Sequence, residues 1–218
     1  MGRIWQWREE SAAALWEEAG ALINGGRIVA LPTETFYALG VHPFQAEALA
    51  RLFALKARPP EKPVLVLVPH QEMVSRLARE VPDLARRLMA RFWPGPLTLI
   101  LPARPELPGL LTGGTGTVGV RLPRQAVTCR LLQALGVPVT GTSANRAGQR
   151  PLTGAEAVAR EFGEDVSLIL DAGPCPGGKP STIVDVSHAP PRLVRAGAIT
   201  EAELAEFIPE IHRCQVSS

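Results

Sequence analysis

Residues 9–40 read EESAAALWEEAGALINGGRIVALPTETFYALG, and the changes of pattern inside this stretch decide the fold class. From Glu9 to Ile23 the apolar residues Leu15, Ala19, Leu22 and Ile23 recur at helical spacing, and Asn24, Gly25 and Gly26 supply a left-handed stop. RIVALP then reads as a short buried strand, and a polar insertion follows at its C-terminal end. The same alternation continues outward. Gln45 to Lys56 places Leu49, Leu52, Phe53 and Lys56 on one helical stripe that ends before Pro59 and Pro60. VLVLV over 64–68 is a strand with both faces apolar. Pro82 opens a helix through Leu84, Leu88 and Phe92, which WPGP terminates. LTLIL, TVGVRL and PVTGTS follow as strands, with a helix from about Gln125 to Leu135 between the last two. Thr153 with Glu156 and Thr200 with Glu203 form capping-box pairs that open helices toward Phe162 and Ile208. SLILD, STIVDV and RLVRAG complete the strands. Alternating strands and helices, with some neighbouring strands too close for parallel crossovers, predict a single α/β domain over 1–218 on a mixed sheet.

The chain has 218 residues, 46% hydrophobic and 20% charged, with 23 Lys plus Arg against 21 Asp plus Glu, a formal net charge of +2. A chain this long buries roughly 70% of the surface its unfolded form exposes, so neither metal nor disulfide is needed to hold a core. A net charge near zero argues against a broad basic surface for nucleic acid, and any basic site is local. Cys129, Cys175 and Cys214 lie far apart without a CxxC pair, which suits a reducing cytosol. His42, His70, His188 and His212 have no ligand spacing such as HExxH, so no metal site is expected. No apolar run reaches the roughly 18 residues of a membrane span, and MGRIWQWREE lacks a signal-peptide core. The expectation is a soluble cytoplasmic protein. Residues 1–26 read as an N-terminal helical segment whose Trp5, Trp7 and Trp16 pack on the core or, less often, face a partner.

Polar insertions in apolar frames mark the candidate site. Thr33, Glu34, Thr35 and Tyr37 follow a buried strand where open α/β sheets bind ligands, although Ser/Thr-type turn bonds explain them equally well. KARPPEK over 56–62 holds Lys56, Arg58 and Lys62 around a stiff proline pair, suited to a polyanion or to offsetting a helix macrodipole. Gly113, Gly114 and Gly116 would let backbone N–H groups converge on an anion. By period two, Arg121 shares a face with Gly119 and Thr117, opposite Val118, Val120 and Leu122. An arginine on that small-residue face implies a charged ligand or a paired carboxylate. Thr140, Thr142, Ser143 and Asn145 end another apolar strand; Ser143 lacks a GxSxG context and a nearby histidine, which argues against a serine nucleophile. Ser181 and Thr182 open a strand, and Arg195 interrupts an apolar run.

Taken in order, TETFYALG, KARPPEK, FWPGPLTLIL, TVGVRLP, GTSANRAG, STIVDV and VRAGAI, spread over 28–199, resemble the YrdC-like threonylcarbamoyl-AMP synthase family. The resemblance implies a twisted mixed sheet with a concave ligand-binding face. It implies conversion of L-threonine, bicarbonate and ATP to threonylcarbamoyl-AMP and pyrophosphate, with Mg²⁺ accompanying ATP, for the t6A37 modification of tRNA. Carried over by position, Thr35, Arg121 and Ser181 fall at threonine contacts. Arg58, Lys62, Thr117, Ser143 and Arg195 fall at ATP contacts, with Lys56 and Asn145 completing the KxR and SxN signatures. Lys56 and Arg58 are the expected catalytic cations, and tRNA-modification proteins the expected recipients of the product. Leu67 stands where many members carry a histidine, VHPF where an aspartate is common, and longer members append a second domain. Alternative readings are a tRNA- or double-stranded-RNA-binding protein, a divergent paralogue, or a related carbamoyl transfer to another acceptor.

Overall fold

The computed structural model of the chain describes residues 3–209 and 211–213. In chain order the elements are β1 (Arg3–Gln6), α1 (Ala12–Asn24), β2 (Val29–Leu31), β3 (Ala38–Gly40), α2 (Ala46–Lys56) and β4 (Val66–Leu67). Then come α3 (Asp83–Phe92), β5 (Leu97–Pro102), α4 (Gly109–Thr112), β6 (Thr117–Arg121), α5 (Ala126–Leu135), β7 (Val139–Thr140) and β8 (Thr142–Ser143). The last are α6 (Ala155–Phe162), β9 (Leu168–Asp171), β10 (Thr182–Asp185), β11 (Arg192–Arg195), α7 (Glu201–Ala205) and β12 (His212–Arg213).

The α/β class and its mixed pairing are as expected, but the strands form two sheets where the sequence suggested one. The five-stranded sheet runs β1-β9-β2-β3-β8 and the seven-stranded sheet β12-β11-β10-β5-β6-β4-β7. PVTGTS, expected as one strand, splits between them: β7 pairs with β4, and β8 pairs with β3. Gly141 is the residue between them, and its N–H donates to Leu65 O at 2.9 Å. A Cβ there would lie 2.6 Å from Leu67 Cγ, so only glycine permits the crossing at this separation.

The N-terminal segment is likewise not wholly helical. β1 pairs in parallel with β9, Arg3 opposite Leu168 through Gln6 opposite Asp171, before α1 begins. Trp7 stacks on Trp16 with ring centroids 5.1 Å apart, which fastens this strand to α1 and accounts for the tryptophans by packing.

Period two divides the seven-stranded sheet into two different faces. Val66, Leu99, Leu101, Val118 and Val120 point into the main core, where α2 contributes Leu49, Leu52 and Phe53 and α3 contributes Leu88, Met89 and Phe92. Leu67 and Arg121 are register partners, and a Cβ on Gly119 would touch Leu65 and Thr98, so these residues share the other face. The five-stranded sheet is covered on both sides: Ala30, Leu39 and Ile169 enter the main core, while Val29, Leu31, Leu168 and Leu170 pack under α1 and α5. Each fully buried leucine or isoleucine here contributes roughly 1.5–3 kcal/mol.

Caps correct a further expectation. Thr200 and Glu203 make the reciprocal capping box at the start of α7, but α6 begins after Gly154 with no side-chain cap bond, so Thr153 does not cap it. Urea denaturation should therefore find Thr200→Ala destabilised by about 1 kcal/mol and Thr153→Ala by less than about 0.5 kcal/mol.

Candidate functional site

The turn between β2 and β3 is built by Thr33. Its Oγ1 donates to Phe36 O at 2.8 Å and accepts from the Thr35 backbone N–H at 3.1 Å. The Thr35 hydroxyl lies 2.9 Å away. Because Thr33 has one hydroxyl proton and gives it to Phe36, Thr35 must donate to Thr33, which leaves Thr35 Oγ1 with acceptor lone pairs for a ligand. The Ser/Thr turn and the binding-site reading of this segment are thus one structure.

The C-terminus of α2 is closed by the segment after β8. Lys56 O accepts from Ala147 N–H at 2.9 Å, and Arg146 Nη1 donates to Leu55 O at 3.0 Å, so two terminal helix carbonyls are satisfied. In return, Lys56 Nζ donates to Ser143 O and Asn145 O, each at 2.5 Å. The residue is 2% exposed. Burial, reinforced by Arg58, pushes its ammonium down to about 7. Ser143 Oγ donates to Asn145 Oδ1, and Asn145 Nδ2 donates to Arg146 O and Gln149 O. Ala57 takes a left-handed φ of 49°, which ends the helix. Arg58 is then held by Lys62 O and Pro63 O at 3.0 and 2.6 Å, and burial lowers its guanidinium from its ordinary value.

Arg121 ends β6 with its side chain 5% exposed. Its Nε donates to Gly95 O at 3.1 Å, and its Nη2 lies 2.8 Å from Glu34 Oε1. Of the two partners considered for this arginine, the carboxylate is present. Across the sheet, Ser181 Oγ receives Arg195 Nη2 at 2.9 Å and lies 3.0 Å from Thr98 Oγ1; Arg195 also donates to Ser181 O through Nε and Nη2. Burial and then the nearby Arg121 lower the Arg195 guanidinium.

These groups border a cavity of about 300 Å³ on the Arg121 face of the seven-stranded sheet. Of the expected site residues, Thr35, Arg58, Arg121, Ser143, Ser181 and Arg195 line it. Lys56 and Asn145 are not among the lining residues; they hold the Ser143 segment from behind. Lys62 is exposed outside the cavity, and Thr117 pairs with Thr115 at the far end of β6. The glycine loop is not an anion nest: Gly113 and Gly114 direct their N–H groups to Gly109 O to close α4. A Cβ on Gly113 would lie 2.6 Å from Glu61 O, so this glycine, at φ 59°, packs against the KARPPEK loop. Tyr37 and Thr142, marked in the sequence as polar insertions, line the cavity too, as does Leu67 at the position where many family members carry a histidine; the apolar wall that Leu65 and Ile183 make with Leu67 was not found from the sequence. The local apolar pattern gives Leu67 no such place; its register with Arg121, 54 positions away in the chain, does. No carboxylate lines the cavity among the described residues, while three arginines do. Such a lining suits an anionic ligand.

Comparison with known proteins agrees with this chemistry. A family model for Sua5, YciO and YrdC proteins, described as telomere recombination, matches residues 21–197. The chain is 37% identical over 209 residues to a threonylcarbamoyl-AMP synthase of Pyrococcus abyssi, covering 96% of this chain and 59% of that protein. It is 36% identical over 196 residues to one of Bacillus subtilis, covering 89% of this chain and 57% of that protein. The chain thus spans somewhat under three fifths of the length of these two relatives. The crystal structure of P. abyssi Sua5 complexed with L-threonine superposes with a TM-score of 0.91 at 35% identity, covering 98% of this chain and 62% of that one. With the matched region reaching from within α1 to just past β11, and with the seven blocks all inside or at the edge of it, the chain belongs to the Sua5/YciO/YrdC family.

Proposed function

We propose that this chain is an L-threonylcarbamoyladenylate synthase, joining L-threonine, bicarbonate and ATP into threonylcarbamoyl-AMP with release of pyrophosphate. The observation that carries the reading is the cavity lining: Arg58, Arg121 and Arg195 with the hydroxyls of Thr35, Ser143 and Ser181, and no carboxylate. The names of the relatives and the threonine complex of P. abyssi Sua5 support it.

In this reading the threonine nitrogen, as the free amine, bonds to the bicarbonate carbon while a C–O bond of bicarbonate breaks, and the departing hydroxyl leaves as water with a proton from the nitrogen, giving the carbamate. A carbamate oxygen then attacks the α-phosphorus of ATP, and the bond to the bridging oxygen breaks as pyrophosphate leaves. The protein supplies orientation and charge stabilisation. Arg121 pairs with the amino-acid carboxylate, and Thr35 Oγ1 accepts from the substrate's amino or hydroxyl group. Ser181, already fixed by Arg195 and Thr98, borders the same substrate. Arg58 and Arg195 face the phosphates. Lys56 and Asn145 hold Ser143 in place, and Lys62 and Thr117 meet the nucleotide where it extends beyond the cavity. No histidine lines the site and the Ser143 proton goes to Asn145, so the reaction uses no protein nucleophile.

No group of three or more His, Cys, Asp or Glu among the described residues could hold a metal. Because no carboxylate lines the cavity among the described residues, Mg²⁺ would be carried there by the ATP phosphates and water. No helix among the described residues is long and apolar enough to cross a membrane. We place the protein in the cytoplasm, where its labile product would pass to proteins that modify adenosine 37 of tRNA. Cys129 and Cys175 are unpaired, which accords with that compartment.

Pyrophosphate release from ATP and bicarbonate should depend on L-threonine and be weak with serine and alanine. Absence of release from folded protein with Mg²⁺ would favour the RNA-binding or divergent-paralogue reading. Steady-state kinetics should show Arg121→Ala raising the threonine KM roughly 10- to 100-fold with a smaller effect on ATP, and Arg58→Ala the reverse; equal effects would overturn the division of roles. Lys56, depressed to about 7, is mostly neutral at pH 8. Lys56 lies behind the Ser143 segment, so a triphosphate in the cavity would favour its charged form through space rather than by contact, and ATP binding should take up a fraction of a proton at pH 8 and less at pH 6, where the amine is already mostly charged. Calorimetry in buffers of different ionisation enthalpy measures this directly, and heats independent of buffer at pH 8 would contradict it.

A further inference from the structure

Glu34 has no role in the chemistry above, yet its placement is costly. It sits between Thr33 and Thr35, which both line the cavity, but it is not itself a lining residue. Both of its carboxylate oxygens are removed from solvent, and neither receives a directed hydrogen bond. Arg121 Nη2 is 2.8 Å from Oε1, but no N–H lies along that line, so the contact is one of charge. A buried carboxylate without directed donors is unfavourable unless a neighbouring charge requires it. The neighbour is Arg121, which Gly95 O holds through Nε on one edge and Glu34 faces at Nη2. What remains of the guanidinium fork for a ligand is the part that reaches the cavity. Glu34 belongs to the loop joining two strands of the five-stranded sheet and Arg121 to the seven-stranded sheet, so the pair also ties the two walls together.

We propose that Glu34 is a positioning residue that sets the aim and the net charge of Arg121, making the cavity select a zwitterionic monocarboxylate over a compact dianion. With Glu34 present, the group formed with Arg121 and Arg195 carries one net positive charge, matched by one carboxylate. Without it the same group carries two and suits a dianion. The inference rests on the amino-acid carboxylate docking at Arg121.

The test is isothermal titration of the full chain and of Glu34→Gln with L-threonine and, separately, with sulfate. In the variant the ratio of threonine to sulfate affinity should fall roughly 10-fold or more, from removal of one charge a few ångströms from the ligand. A ratio unchanged within about twofold overturns the proposal, as does parallel loss of both ligands, which a merely structural role would produce. If Glu34→Gln does not fold, Glu34→Asp carries the same comparison. Drawing the charge back by one methylene should lower the ratio a few-fold, and an unchanged ratio again overturns the proposal. Failure of the unmodified chain to bind threonine would instead remove the docking of the amino acid at Arg121, and the inference with it.

Discussion

The reciprocal clasp between the end of α2 and the segment after β8 is the constraint on which the site depends. Leu55 and Lys56 offer helix carbonyls that Arg146 and Ala147 satisfy, while Lys56 returns its own N–H groups to Ser143 O and Asn145 O. Two distant sequence signatures, KxR and SxN, are thereby one physical unit. The lysine is too buried to be comfortable as a cation, yet withdrawing it would take a donor from Asn145 O and leave Ser143 O with the Asn145 N–H alone, loosening the Ser143 segment. The same clasp sets the direction in which the chain leaves α2, and so where Arg58 begins.

Each of the cavity's arginines follows one design. Arg58 is held by Lys62 O and Pro63 O, Arg121 by Gly95 O, and Arg195 by Ser181 O. A backbone carbonyl takes part of the fork and fixes its plane, while each side chain still reaches the cavity. Fixing the donors before a ligand arrives reduces the conformational entropy lost on binding. Near-neutral composition is therefore compatible with a strongly positive interior: the compensating carboxylates are elsewhere, apart from Glu34 beside Arg121.

Much of this was legible in the sequence, and the failures have physical causes. Arg121 stood out because period two put it on a face with Gly119, and α2 and α3 announced themselves through apolar spacing and their terminators. The split of PVTGTS into two sheets was not legible, because strand partners are long-range and six residues of uniform polarity look like one strand. Thr153 and Glu156 satisfy the capping-box pattern, but a Thr/Glu spacing is only permission for a cap, and the chain starts α6 one residue later. The glycines of 113–116 show the limit of composition: left-handed backbone there serves the turn out of α4 and a close approach to Glu61, not an anion. The apolar wall at Leu65 and Leu67 was hidden for the opposite reason, since VLVLV reads as core on both faces and nothing local says that one face borders a ligand.

Gly141 carries a last consequence. Thr140 is the final residue of β7 in one sheet and Thr142 the first of β8 in the other, with a single residue between them. The gap between the sheets thus has the stiffness of one peptide unit rather than of a loop, and the two layers cannot drift apart as separate lobes. Ligand grip and mechanical integrity are then written into the same few residues, and a graft or insertion meant to enlarge the cavity at this corner would loosen both layers at once. Room for a different substrate is more readily found at the other rim, along the backbone of residues 173–180, whose glycines at 173, 177 and 178 all sit at positive φ and which belong to no strand.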